Sequence, residues 1–116
     1  MQVKLNKNIF NEFKEYVMDN RIAVVARFKA MEGMDLKLKE LLLTLIEPSR
    51  SDEGCISYDL HQAINDPTLF IFYETWQSKE YLDKHSATSH VQHFRSKAKE
   101  LFAEPPQVSL LVKISS

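Results

Sequence analysis

Glycine and cysteine are nearly missing from this chain, with 2 and 1 respectively among 116 residues. Two glycines cannot build a phosphate-cradling loop or a dinucleotide fingerprint, because both need several glycines where backbone approaches pyrophosphate. The lone Cys55 excludes an intramolecular disulfide framework and leaves no thiolate pair for a structural zinc site. An excess of cationic charge is also lacking: 15 Lys and Arg face 16 Asp and Glu, for a formal net charge of −1. With no basic run to follow a phosphate backbone, nucleic acid and anionic membrane are poor partners. No apolar stretch is long enough to span a bilayer, and the opening MQVKLNKNIFNEF has no secretory core. The expected setting is reducing and cytoplasmic.

What is present is a single domain's worth of core. Hydrophobic residues make up 44% and charged residues 27% of the chain, enough to bury roughly two-thirds of the unfolded surface without staples. Aromatic content is concentrated in 7 Phe, 4 Tyr and 1 Trp, and the 4 histidines all lie in the second half.

Periodicity orders the elements. Ile9, Phe10, Phe13, Tyr16 and Val17 recur at spacings of three and four, which predicts an amphipathic helix over Asn6–Asn20. RIAVVARFK (Arg21–Lys29) is β-branched, apolar and too short for a helix, so it is a strand. Leu36, Leu38, Leu41, Leu42, Leu45 and Ile46 form the stripe of a helix over Asp35–Ile46, with Pro48 at its fraying end. After the turn cluster Ser49–Gly54, CISYDLHQ alternates as a half-buried strand, Asn65-Asp66-Pro67 makes a loop, and LFIFYETW (Leu69–Trp76) completes an antiparallel hairpin. Ser78 caps a helix, a second helical stretch covers Ala87–Phe102, Pro105-Pro106 stops it, and Val108–Ile114 is a last strand. The order βαββαβ predicts the α+β, ferredoxin-like plan: four antiparallel strands with helices on one face. Residues 1–21 are a helical extension and 22–116 the domain. The strands carry apolar residues on both parities, so the second sheet face needs a cover, most simply a second copy of the chain.

Histidine is the natural general base near neutral pH. His61 ends a strand, His85 and His90 flank a helix start, and His93 reads as a surface imidazole. His85 and His90, five apart, do not share a helical face; His90 and His93 do, but without the glutamate of a metalloprotease motif, so no metal is expected. Phe70 and Phe72 read as core. Tyr58 and Trp76 have polar handles and could line a pocket with His61 for a flat aromatic or enolisable ligand. Glu74, among aromatics, is either a solvated carboxylate or a pocket group orienting a ligand hydroxyl or a His. Phe94 lies on the apolar stripe of the last helix, where it can wall the same pocket. Cys55 reads as a small hydrophobe.

The segments Glu53–Tyr58 (E-G-C-x-S-Y), Phe70–Trp76 (F-x-x-Y-E-x-W) and Asp83–His90 (D-x-H-x-x-T-x-H) resemble the antibiotic biosynthesis monooxygenase family, including its small quinol monooxygenase-like members. The resemblance covers about Ile22–Ile114. It implies a homodimeric α+β barrel and oxygenation of quinols or anthrones by O2 as co-substrate, without flavin, haem or metal. It also implies Trp76 lining the pocket, His61 and His90 as candidate proton acceptors, Tyr58 as a hydrogen-bonding neighbour, and His85 as a further match to the same segment; Glu74 and Phe94 are expected around the substrate from the residue reading above. The first strand has no Asn, unlike related haem-degrading enzymes, which argues against haem. Two alternatives stay open: a non-catalytic barrel that binds a small metabolite, and an isomerase of a phosphorylated dione using Arg27 or Arg50.

Overall fold

The computed structural model describes residues 19–115; the helix read over Asn6–Asn20 lies outside them except for its last two residues. The elements are β1 (Ile22–Lys29), α1 (Asp35–Leu43), α2 (Ile46–Arg50), β2 (Cys55–Ala63), β3 (Asp66–Trp76), α3 (Lys79–Ser86), α4 (Ser89–Ala98) and β4 (Gln107–Leu111). All neighbouring strands are antiparallel, in the order β2-β3-β1-β4. The predicted ferredoxin-like α+β plan is therefore the observed fold.

Three local departures have simple causes. The single helix expected over Asp35–Ile46 stops at Leu43, turns through Thr44 and Leu45, and resumes as α2. Pro48 does not terminate it, because it sits in the first turn of α2, where a backbone N–H has no helical partner to lose. The hairpin loop is shorter than expected, since Asp66 and Pro67 join β3. There, Asp66 Oδ1 accepts from Thr68 N and Oγ1 at 3.0 and 2.6 Å, and Lys29 Nζ donates to its Oδ2 at 2.6 Å. The helical stretch starts two residues later than expected, because Thr88 caps α4, accepting from Val91 N at 3.4 Å.

Strand alternation sorts side chains onto two faces. Val24, Ala26 and Phe28 of β1, Tyr58 of β2, and Phe70, Phe72, Glu74 and Trp76 of β3 point toward the helices and are buried. Leu38, Leu42, Leu45, Leu82, Val91 and Phe94 meet them from the other layer. Full burial of each such aromatic or aliphatic side chain contributes about 1.5–3 kcal/mol. Edge-to-face contacts, such as Phe28 on Phe94 at 5.7 Å between centroids, add direction to that burial. A β-bulge at Ile56 in β2 keeps Tyr58 in register with Glu74.

The opposite face carries Ala23, Val25, Ile71, Tyr73 and Leu111, with Asp59 and His61 toward the β2 edge. No described helix covers it, and Tyr73 and Leu111 remain 46% and 44% exposed. No helix among the described residues is long and apolar enough to cross a membrane.

Candidate active site

Between the sheet and helices α3 and α4 lies a cavity of ≈160 Å³. Its apolar walls include Phe28, Phe72 and Phe94, and its polar groups are Tyr58, Glu74, His85, Ser86 and the exposed Arg95. A larger hollow of ≈480 Å³ opens at the end of the β1/β4 pair around Tyr73, Thr75 and Leu111. It gathers no buried titratable group, so the smaller cavity is the better candidate for chemistry.

The break between α3 and α4 builds the polar end of this site. His85 lies in the last turn of α3 and His90 in the first turn of α4. Had one helix run through, residues five apart would diverge; the turn at Ala87–Thr88 swings both imidazoles toward one point. Thr88 fixes that turn, because its hydroxyl donates to the His85 carbonyl at 2.7 Å while accepting from Val91 N. The common point is Asp52 in the loop before β2. His85 Nδ1 and His90 Nε2 lie 2.8 and 2.9 Å from the same oxygen, Asp52 Oδ2.

An ionised carboxylate only accepts, so each imidazole gives its N–H to Asp52. The tautomers follow: His85 keeps a lone pair on Nε2 and His90 on Nδ1, and neither of these atoms has a protein hydrogen bond among the described residues. Burial holds the His85 pKa below the ordinary imidazole value, against the raising effect of Asp52. His85 is thus a neutral imidazole at pH 7 with its basic nitrogen unspent.

Aromatic rings pack around it. Trp76 is fully buried, 4.5 Å from His85 between ring centroids, and Tyr58 is 5.4 Å from His85. The Trp76 indole Nε1–H donates to Glu74 Oε1 at 2.9 Å. Burial raises the Glu74 carboxyl to about 7, opposed by that indole bond. Tyr58 is raised well above the ordinary phenol range by burial first and then by the Glu74 carboxylate. The neighbouring Ser49 hydroxyl is fully buried beside the Tyr58 phenol and makes no hydrogen bond of good geometry among the described residues. The carbonyl of Tyr58 accepts from Arg50 Nε at 3.1 Å, which ties α2 to β2.

Of the residues singled out from sequence, Tyr58, Glu74, His85 and Phe94 line one cavity, Trp76 packs directly behind His85, and His90 joins through Asp52. His61 does not join them. It pairs with Ile71 on the outer sheet face and is exposed, because strand alternation sends it opposite to Tyr58 and Leu60. His93 is exposed on α4. Arg27 and Arg50 do not line the cavity: Arg27 bonds Glu104 at 2.6 Å and Arg50 bonds Asp59 at 3.0 Å. Asp52 is the candidate site residue that sequence reasoning missed. Its only local signal is a place in a polar turn, and its two partners are 33 and 38 residues away.

Asp52, His85 and His90 also offer three ligand atoms within 4.8 Å of one another, a donor set that divalent transition metals accept. Among the described residues, the remaining nitrogens of both imidazoles lack the carboxylate or carbonyl partner that usually orients a metal-bound histidine. Two shared protons satisfy the arrangement as it stands.

A four-stranded ferredoxin-like sheet with its helices on one face and an imidazole-bearing aromatic cavity between the layers defines a small α+β protein with an internal cavity. Residues 21–97 match the family described as Antibiotic biosynthesis monooxygenase, and the chain belongs to that family. It is 33% identical, over 84% of its length and 95% of the relative's, to a Mycobacterium tuberculosis protein called "Putative monooxygenase Rv0793". The solved structure of Rv0793 superposes with a TM-score of 0.78, covering 83% of this chain and 97% of that one. PA3566 from Pseudomonas aeruginosa superposes with a TM-score of 0.80 at 30% identity, over 84% and 98% of the two chains. A Synechocystis relative, "Uncharacterized protein sll1783", is 33% identical over 79% of this chain; the match spans 63% of that protein's length.

Proposed function

We propose that this chain is a cofactor-independent monooxygenase for a small quinol- or anthrone-like substrate. The observation that carries the reading is the buried, neutral His85, lining the cavity with its Nδ1–H held by Asp52 and its Nε2 free. In this reading Nε2 removes a proton from an aryl hydroxyl or an enol, and Asp52 stabilises the imidazolium that results. The anion gives one electron to O2, the two radicals join in a C–O bond, and loss of water leaves a carbonyl. A quinol plus O2 thus becomes a hydroxyquinone plus water, and an anthrone methylene becomes a ketone plus water. Phe28, Phe72 and Phe94 supply the dry apolar walls that keep the anion unsolvated.

His90 is the second member of the Asp52 pair in this scheme, and Trp76 backs the His85 ring. His61 has no part in it. The open apolar face around Val25, Ile71 and Tyr73 supports a homodimer in which a second copy covers it. That arrangement would place His61 near the interface edge.

The test is oxygen uptake by chelator-treated protein over a panel of quinols and anthrones. Uptake above the spontaneous rate, abolished in His85→Gln and retained in His61→Ala, is expected. No uptake on any panel member, or uptake restored only by adding a divalent metal, overturns the reading.

A further inference from the structure

Proton abstraction at His85 uses one end of the cavity and leaves its most unusual group idle. Glu74 lies at the centre of β3 on the buried sheet face and is 5% exposed. A buried carboxylate ordinarily has a cation or several N–H donors. Glu74 has one bond, to Oε1 from the Trp76 indole, and no ion pair among the described residues. Its Oε2 has no partner among the described residues, yet it is not sealed in the core, because the residue lines the same cavity as His85.

The groups that pack around Glu74 supply no compensating charge. Its cross-strand neighbours are Val24 on β1 and Tyr58 on β2, and burial keeps the Tyr58 and Cys55 protons in place. From the helices come His85, held neutral by burial, and Arg95, which is exposed and donates to the Ser86 carbonyl at 3.2 Å. Asp52, on the far side of His85, brings no positive charge. The uncharged carboxylic acid is the form this environment favours, in accord with a carboxyl raised to about 7.

We propose that Glu74 keeps its proton on Oε2 and donates it to an acceptor oxygen on the ligand, so that the cavity selects dioxygenated rings over simple phenols. One ligand oxygen would then meet His85 from the helix wall, and a second would meet Glu74 from the sheet floor. This rests on the reading of the cavity as a phenol-binding site and adds to it a requirement for the second oxygen.

The chain's single tryptophan is bonded to Glu74, so its fluorescence reports directly on binding. Two probes of nearly equal size and acidity, 4-methoxyphenol and 4-ethylphenol, differ only in an acceptor oxygen. At pH 6 the wild type should bind the methoxy compound about fivefold more tightly, the effect of one net hydrogen bond. That preference should disappear at pH 9, where the acid has lost its proton. Glu74→Gln, whose amide still donates, should keep the preference at both pH values, and Glu74→Leu should show none. Equal affinities at pH 6, or a wild-type preference that persists at pH 9, overturns the role of Glu74 while leaving the phenol site intact. Failure of both probes to bind overturns the phenol site and this inference with it.

Discussion

Replacing Asp52 by Asn removes one charge and nearly nothing else, which makes it the sharpest probe of the His85–Asp52–His90 trio. An amide oxygen in the position of Oδ2 can still accept from both imidazoles. What is lost is charge assistance in two hydrogen bonds of 2.8 and 2.9 Å. Hydrogen bonds to charged groups contribute about 1.5–3 kcal/mol against about 0.5–1.5 for neutral ones, so each bond weakens by roughly 1 kcal/mol. The imidazolium of His85, which Asp52 favours, then becomes about fivefold rarer relative to neutral imidazole at any fixed pH in its titration range. The direction is fixed: burial already holds the His85 pKa down, and D52N removes the main opposing influence, so it falls further. Nitrogen-15 NMR of the imidazoles follows this without any substrate. In the wild type His85 should show the Nδ1–H tautomer and His90 the Nε2–H tautomer. In D52N the His85 titration should move to lower pH. An unshifted His85 titration in D52N, or a wild-type His85 protonated at Nε2, would refute the orientation argument outright.

Further outcomes follow from the same structure. Glu74 has a raised pKa in the fold, so its contribution to stability is complete below its unfolded value and is lost as pH rises through about 7; the loss is at most about 3 kcal/mol. E74Q should therefore lose less thermal stability than the wild type between pH 5 and pH 8.5, and parallel melting curves for the two would contradict a neutral buried acid. His85 acts with the opposite sign: its lowered pKa costs stability as pH falls below its unfolded value, and H85Q should flatten the acid limb of a denaturation series. Gly54 has φ +83°, and a Cβ there would overlap the Tyr81 side chain. G54A should cost more than the roughly 1 kcal/mol of the backbone preference alone and loosen the adjoining Asp52 turn, seen as a depressed melting temperature together with a disturbed His85 resonance. Leu38→Ala empties a fully buried site between α1 and the sheet; urea denaturation should show a loss of about 2–5 kcal/mol, and a loss under 1 kcal/mol would mean the helix layer is packed differently. Tyr73→Asp places a charge on the open sheet face; native mass spectrometry should show a shift from dimer to monomer, and an unchanged mass would count against that face as the contact.

The hydrophobic pattern by itself determined the strand and helix order, because period-two and period-3.6 burial can each be satisfied by only one kind of backbone. It also indicated that both sheet faces are apolar and that Tyr58, Glu74 and Trp76 lie near one another on the central hairpin. Pro48 and the pair Asp66-Pro67 misled at element ends, where a local breaker signal yields to its position in a helical turn or to side-chain bonds at a strand start. The histidines were harder to place. From spacing alone His85 and His90 diverge and His61 is a reasonable companion for Tyr58. Only the turn at Ala87–Thr88, set by a cap, brings the first two together, and only strand parity sends His61 away. Asp52 could not be found in sequence because a carboxylate becomes an orienting group through what it touches, and what it touches comes from two helices on the far side of the hairpin. The burial that lowers the His85 pKa and raises that of Glu74 is likewise a property of packed layers, absent from any stretch of chain taken alone.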